Sequence, residues 1–312
     1  MRVLAFLTAG FPLWALLASI LALLRPGLFT WFTGPLITVG LGVIMLGMGV
    51  TLRLEDFTRV VRYRAPIAYG VVFQYTLMPS LGWGIGYLYG LPNPLAVGLV
   101  LVACCPGGTA SNVITFLARA DLPLSVTMTA VSTLLAALMT PTLTALLAGS
   151  RVDVPAVGLF LSTVQVVLLP IAVGVLMNRY LPALTRRIAP VAPLVAVVMI
   201  TLIVASIIGA GRSQILDAGP RLILAVSTLH AGGFLLGYAL IRVLRGREIV
   251  ARTISIEVGM QNSGLGVVLA RQNFVDPLFA IPSAISSLFH SLIGSCLAGI
   301  WRRTASRHAN SA

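Results

Sequence analysis

Ten stretches of the chain, at about 3–24, 31–52, 65–88, 95–118, 123–148, 155–177, 188–210, 220–241, 250–270 and 277–300, are long, apolar and nearly free of charge. About 20 such residues in a helix span the hydrocarbon core of a bilayer. In lipid every backbone donor and acceptor must be satisfied internally, so the sequence predicts an all-α polytopic membrane protein embedded in a lipid bilayer. Composition agrees, with 58% apolar and only 9% charged residues, where a soluble globule carries about 25% charged residues. Disorder, a coiled coil and a disulfide-stapled secreted domain are excluded together. Connections between the stretches are short, which leaves no room for an inserted soluble domain. The run after Met1-Arg2 carries Pro12, continues to Leu24 and meets Arg25-Pro26 without a small-residue cleavage site. It reads as a retained first span rather than a signal peptide. Cys104, Cys105 and Cys296 all sit in apolar stretches and read as reduced packing residues.

A formal net charge of +13 raises the question of a nucleic-acid partner. The 21 basic residues, all arginine, lie between the apolar stretches instead of along one face, which argues against nucleic acid and for membrane topology. If both termini are cytoplasmic, sixteen arginines fall on that side: Arg2, Arg53, Arg59, Arg62, Arg64, Arg119, Arg179, Arg186, Arg187, Arg242, Arg245, Arg247, Arg252, Arg302, Arg303 and Arg307. Five fall on the other: Arg25, Arg151, Arg212, Arg221 and Arg271. An odd number of spans would spoil this alternation.

The stretch Gly107-Gly108-Thr109-Ala110-Ser111-Asn112, ending at Leu117-Ala118-Arg119, has an echo 152 residues later. There Gly259-Met260-Gln261-Asn262-Ser263-Gly264 leads to Leu269-Ala270-Arg271, and Asp121-x-Pro-Leu is answered by Asp276-Pro277-Leu278. These are the fourth and ninth stretches, one in each half. Because five spans is an odd number, the second half enters from the opposite side, and the repeat is inverted. The expected organisation is a first repeat over 1–150, a second over 151–303 and a cytoplasmic tail over 304–312.

Of eight acidic residues only Glu257 lies within a span. An ionisable group in lipid is costly and marks function by default. Around it Gly259, Gly264 and Gly266 weaken the helix. In the fourth stretch Pro106 removes a donor and obstructs the preceding turn, and Gly107 and Gly108 follow. Two interrupted helices in corresponding halves point to a transporter's midplane site; the bland alternative is a pair of ordinary membrane-helix kinks. One carboxylate among hydroxyls, amides and carbonyls suits a hard monovalent cation, while a transition metal wants Cys and His at ligand spacing. A titrating proton carrier is the close rival. Exposed half-helix N-termini would favour an anion. Gln74, Ser125 and Thr129 could complete a cation shell or simply bond between helices. His230 and His290 lie in the eighth and tenth stretches, where a lone histidine is more often a packing residue than a ligand.

The motifs Cys104-Cys105-Pro106-Gly107-Gly108-Thr109-Ala110-Ser111-Asn112, Leu124-Ser125-Val126, Ala130-Val131-Ser132-Thr133-Leu134, Ile256-Glu257-Val258-Gly259-Met260-Gln261-Asn262-Ser263-Gly264 and Met48-Gly49-Val50-Thr51-Leu52 resemble the bile acid:sodium symporter family, over nearly the whole chain. The resemblance implies ten helices in two inverted five-helix repeats. Helices 1, 2, 6 and 7 would form a panel and helices 3–5 and 8–10 a core, with broken helices 4 and 9 crossing. It implies two sodium ions and no organic cofactor. The first would be held by Ser111, Asn112, Ser125, Thr129 and Glu257. The second would be held by Gln74, Glu257, Gln261 and the carbonyls of Val258 and Met260. A small organic anion would meet Thr109, Asn262, His290 and Ser291. Ser291 and Ala231 stand where the family often has asparagine, so a small carboxylate such as pantoate or pantothenate is as good a substrate as a bile acid. The expected activity is sodium-coupled symport by alternating access in a bacterial inner membrane, with no enzymatic reaction; the sequence sets no oligomeric state, and a monomer is compatible with it. The alternatives are a proton-coupled or arsenite-type permease using Cys104 or Cys105, and, more remotely, an intramembrane enzyme pairing Glu257 with His230 or His290.

Overall fold

The computed structural model describes residues 7, 8, 10–52 and 63–309. Arg2, Arg53, Arg59 and Arg62 of the topology argument lie outside the described residues, as do Glu55, Asp56 and the last three residues of the tail. Among the described residues the chain is helical, with a single isolated bridge and no strand.

The helices are α1 (Phe11–Leu24), α2 (Pro35–Thr51), α3 (Arg64–Leu88), α4 (Asn93–Ala103), α5 (Ala110–Leu117), α6 (Leu122–Ala148) and α7 (Ala156–Tyr180). After them come α8 (Pro182–Ile188), α9 (Ala192–Ala210), α10 (Arg212–Val243), α11 (Glu248–Gly259), α12 (Ser263–Asn273) and α13 (Ile281–Ala309). By length and composition five segments can cross a membrane unaided: Leu122–Ala148, Ala156–Tyr180, Ala192–Ala210, Gly219–Val243 and Pro277–Arg303. Phe11–Leu24, Pro35–Thr51 and Asn93–Ala103 are shorter apolar helices. The stretches expected at 95–118 and 250–270 are each two half-helices, α4 and α5, and α11 and α12.

Prolines set many of the boundaries. Pro35, Pro94 and Pro123 occupy first-turn positions, where a missing N–H leaves nothing unsatisfied. Inside α7, Pro170 has no N–H to give, and the turn before it widens to π geometry over Val164–Leu168. Gly219 takes φ +60° and kinks α10 ahead of Pro220.

In lipid, helices associate through close packing and interhelical hydrogen bonds, because burial of apolar surface supplies no drive there. The contact of α2 with α7 shows why small residues are required. A Cβ on Gly49 would stand 2.9 Å from Ile171 Cα, and one on Gly174 would stand 2.6 Å from Leu46 O. Helices α1, α2, α7 and α9, with the short α8 against α2 and α7, form one group, while α3–α6 and α10–α13 make up the rest. The two breaks lie within this second group, against α3, α6 and α13.

Candidate functional site

The chain unwinds at Cys105-Pro106-Gly107-Gly108 and again at Met260-Gln261, and the two unwound strands pair with each other. Gly108 N donates to Met260 O and Asn262 N to Pro106 O, both at 2.8 Å, forming the antiparallel bridge between Gly107 and Gln261. Both glycines are tightly enclosed. A Cβ on Gly107 would lie 2.8 Å from Glu257 Oε2, and one on Gly108 would lie 2.7 Å from Gln261 O.

The freed carbonyls find donors one by one. Cys104 O accepts from Thr140 Oγ1 at 2.8 Å and Cys105 O from Gln74 Nε2 at 2.9 Å. Val258 O accepts from Gln261 Nε2 at 3.1 Å, and Gly259 O is 2.8 Å from His230 Nδ1. A carbonyl can only accept, so Nδ1 carries the proton and His230 Nε2 accepts from the Ser286 hydroxyl at 2.5 Å. Ser263 Oγ in turn lies 3.1 Å from Ser286 Oγ. His230 therefore ties the end of α11 to the start of α12 through α13. Each carbonyl keeps a second lone pair for a further partner.

Glu257 stands at the end of α11, 2% exposed. Its Oε1 accepts from Ser111 Oγ at 2.5 Å and from Ser125 Oγ; its Oε2 accepts from Thr129 Oγ1 at 2.9 Å. Ser125 Oγ is also 2.9 Å from Asn112 Oδ1, and Thr129 Oγ1 is 3.0 Å from Ser125 O and 3.5 Å from Asn112 Oδ1. Each hydroxyl has one proton to give. Ser125 and Thr129 thus meet more acceptor oxygens than they can serve, and the cluster is rich in oxygen and poor in protons. Such a cluster suits a hard cation. Among the described residues no three His, Cys, Asp or Glu stand together as a transition metal would require.

The structure brings Ser111, Asn112, Ser125, Thr129 and Glu257 into this one cluster. Gln74 and Gln261 form a second group across the bridge, with Gln74 Nε2 donating to Gln261 Oε1 at 2.7 Å and Val258 O beside them. Met260 O points into the bridge, where Gly108 N occupies one of its lone pairs.

A cavity of about 240 Å³ opens between the two groups of helices. It runs from Thr8, Thr51 and Leu52 at one end of α1 and α2 to Leu41, about 15 Å deeper at 1.5 Å per helical residue. Thr109, Asn262 and His290 line it, as do Asn112 and Gln261 from the oxygen clusters. Ser291 does not: it is fully buried and its hydroxyl donates to Ser287 O at 2.6 Å. Ser287 takes its place in the wall, one turn before His290. Sequence reasoning missed Ser287, although its spacing of three from His290 puts both on one helix face. Ala231 is exposed on the outside of α10 and lies away from the cavity. The N-termini of α5 and α12 both open here, through Thr109, Ala110, Asn262, Ser263 and Gly264. Asn262 Oδ1 caps α12 by accepting from Leu265 N at 3.1 Å, which turns its NH2 towards Met45 Sδ, a weak acceptor 3.9 Å away. His290 Nδ1 is buried without a hydrogen-bond partner. Among the described residues, none that lines the cavity is charged.

Paired helix breaks around a buried carboxylate, inside an apolar helical bundle, define a polytopic membrane transporter. The sequence model of the Sodium Bile acid symporter family matches residues 38–218. The "probable sodium/metabolite cotransporter" BASS1 of Arabidopsis thaliana chloroplasts is 48% identical over 298 residues, 96% of this chain and 74% of that protein. A chloroplastic BASS2 of rice, under the same description, is 47% identical over 301 residues, covering 96% of this chain and 72% of that protein. The "uncharacterized sodium-dependent transporter YocS" of Bacillus subtilis is 43% identical over 294 residues, 94% of this chain and 91% of that protein. The chain belongs to the sodium bile acid symporter family. Its relatives are named as transporters, not as enzymes.

Proposed function

We propose that the protein is a sodium-coupled symporter of a small organic anion that works by alternating access. The observation that carries this reading is the proton-poor oxygen cluster around Glu257, which shares Asn112 with the cavity wall. The names of the relatives, sodium/metabolite cotransporter and sodium-dependent transporter, support the same coupling.

In this reading a first sodium ion sits among Ser111, Asn112, Ser125, Thr129 and Glu257. A second sits among Gln74, Glu257, Gln261 and the Val258 and Met260 carbonyls. One buried carboxylate with two cations leaves a net positive charge beside a cavity whose wall, among the described residues, carries no charge. An anionic substrate at the N-termini of α5 and α12 would be neutralised mainly by the ions, with helix dipoles and the Thr109, Asn262 and His290 side chains adding direction. Ion and substrate then favour each other's binding, which is thermodynamic coupling between the two sites.

The cavity lies below the range of about 300–1,000 Å³ typical of drug-sized ligands, and its wall of Leu41, Ile44, Met48, Val113 and Ile200 is aliphatic. Both features favour a small branched carboxylate of the pantoate or pantothenate kind over a steroid. Cys104 and Cys105 are fully buried and outside the cavity, which gives a thiol-dependent arsenite permease no support. The wider reading is of ten spans in two inverted repeats, 1–150 and 151–303, with both termini and the 304–312 tail on the cytoplasmic side of a bacterial plasma membrane. The arginine distribution supports that orientation, and it puts the Thr8 and Thr51 end of the cavity on the cytoplasmic side. Uptake of radiolabelled pantoate or pantothenate into proteoliposomes, driven by a sodium, potassium or proton gradient, tests the proposal. Uptake that follows the proton gradient and ignores sodium would overturn it.

A further inference from the structure

Leu41 of α2 and Ile200 of α9 close against Gly264 of α12, where a Cβ would lie 3.4 and 3.0 Å from their methyl groups. Beyond this plug α12 continues for about 12 Å, at 1.5 Å per residue, to Gln272 and Asn273 at its last turn. These consecutive residues reach two different helices of the opposite group. Gln272 Nε2 donates to Thr38 Oγ1 of α2 at 3.1 Å, and Asn273 Nδ2 donates to Ser162 Oγ of α7 at 3.0 Å. The second contact has a shaped seat: a Cβ on Gly158, one turn before Ser162, would stand 2.5 Å from Asn273 Oδ1. Asn273 Nδ2 also bonds its own helix at Leu269 O, 3.0 Å away, which holds the amide aimed at α7.

We infer that Gln272 and Asn273 are gate residues of the transport reaction, a two-armed latch that holds closed the face beyond the Leu41 and Ile200 plug, opposite the Thr8 and Thr51 end of the cavity. The inference rests on the alternating-access reading above. Helix α12 carries Asn262 at its first end and the latch at its last, so one rigid element joins the binding site to the closed face. For the cavity to open on that side, α12 must part from α2 and α7 at this end, and the hydrogen bonds at Thr38 and Ser162 are polar contacts it must give up there. Neutral hydrogen bonds contribute about 0.5–1.5 kcal/mol net. The exposed Gln272 bond stands at the low end of that range and the half-buried Asn273 bond nearer the middle. Their joint loss shifts the ratio of the two states by about tenfold, a factor equivalent to 1.4 kcal/mol.

Two measurements test this, each in a Cys296→Ser background, since Cys104 and Cys105 are fully buried. In the first, Leu41→Cys at the plug is labelled with a membrane-impermeant maleimide added to sealed vesicles from the latch side. Gln272→Ala/Asn273→Ala should raise the labelling rate about tenfold over the latched protein; an unchanged rate overturns the inference. In the second, Ser162→Cys/Asn273→Cys is bridged by mercuric ion. Bridging should stop uptake, with recovery on adding excess thiol, while sodium-dependent thermal stabilisation persists. A bridged protein that still transports overturns the latch. A wild-type protein with no sodium-dependent stabilisation counts against the symport reading instead, so the two failures are distinct.

Discussion

Gly108→Ala probes the pairing of the two helix breaks with a single methyl group. The added Cβ would stand 2.7 Å from Gln261 O and 3.1 Å from Gln261 C, both backbone atoms that no side-chain rotation can move. Ordinary contact starts at 3.4 Å, so the crossing strands must part by about 0.7 Å. The bonds from Gly108 N to Met260 O and from Asn262 N to Pro106 O, both 2.8 Å, then stretch to about 3.5 Å, beyond hydrogen-bond length. A buried group left without a partner costs about 1–3 kcal/mol, and two broken bonds put the loss at about 2–6 kcal/mol. The same displacement moves Val258 O, Met260 O and Gln261 relative to Gln74, so the second cation set is spoiled together with the stability. Thermal unfolding of purified protein in detergent, in sodium and in potassium at equal ionic strength, reads both effects. Gly108→Ala should unfold at a lower temperature and gain little from sodium. Gly42→Ala is the control, because a Cβ there meets nothing within 4 Å. Wild-type stability with a wild-type sodium response in Gly108→Ala would refute the role assigned to the crossing.

The other expectations concern neighbouring atoms. Gly107→Ala places a Cβ 2.8 Å from Glu257 Oε2, the movable end of a side chain, so it should weaken sodium binding in a sodium titration while disturbing folding less than Gly108→Ala. Ser287→Ala removes a hydroxyl from the cavity wall and should weaken substrate binding about fivefold, near 1 kcal/mol for one neutral hydrogen bond; Ser291→Ala should leave binding unchanged, since its hydroxyl serves Ser287 O. Cys104→Ala/Cys105→Ala should keep sodium-driven uptake, and loss of coupling with folding intact would revive a thiol-dependent mechanism.

The two breaks were legible because Pro106, Gly107, Gly108 and Gly259 are local signals, each acting on its own backbone. Their pairing was not. Nothing in a pattern of interrupted helices says that Pro106 O will meet Asn262 N, a partner 156 residues away. Glu257 stood out by its isolation in an apolar stretch; Ser125 and Thr129 could be read from the residues either as cation ligands or as ordinary interhelical donors, and the family resemblance favoured the first. The error at Ser291 has a plain cause. Sequence puts Ser287, His290 and Ser291 on one helix, but the rotation of α13 against its neighbours decides which of them faces the cavity. The stretch expected to begin at 188 starts with the end of a separate short helix, α8, and α9 begins at Ala192; hydropathy runs through this joint unbroken.

The central claim is that Glu257 holds sodium, and sodium titration of thermal stability in the wild type and in Glu257→Ala tests it most directly. A ligand at a hundred times its Kd stabilises the native state by about 2.7 kcal/mol. Removing a unit charge about 4 Å from the ion at an effective dielectric near 20 forfeits about 4 kcal/mol, roughly a thousandfold in affinity. The wild type should therefore gain stability in sodium and not in potassium or choline, and Glu257→Ala should stay folded yet show no sodium-specific gain over the same range. A wild-type sodium response in Glu257→Ala would contradict the account.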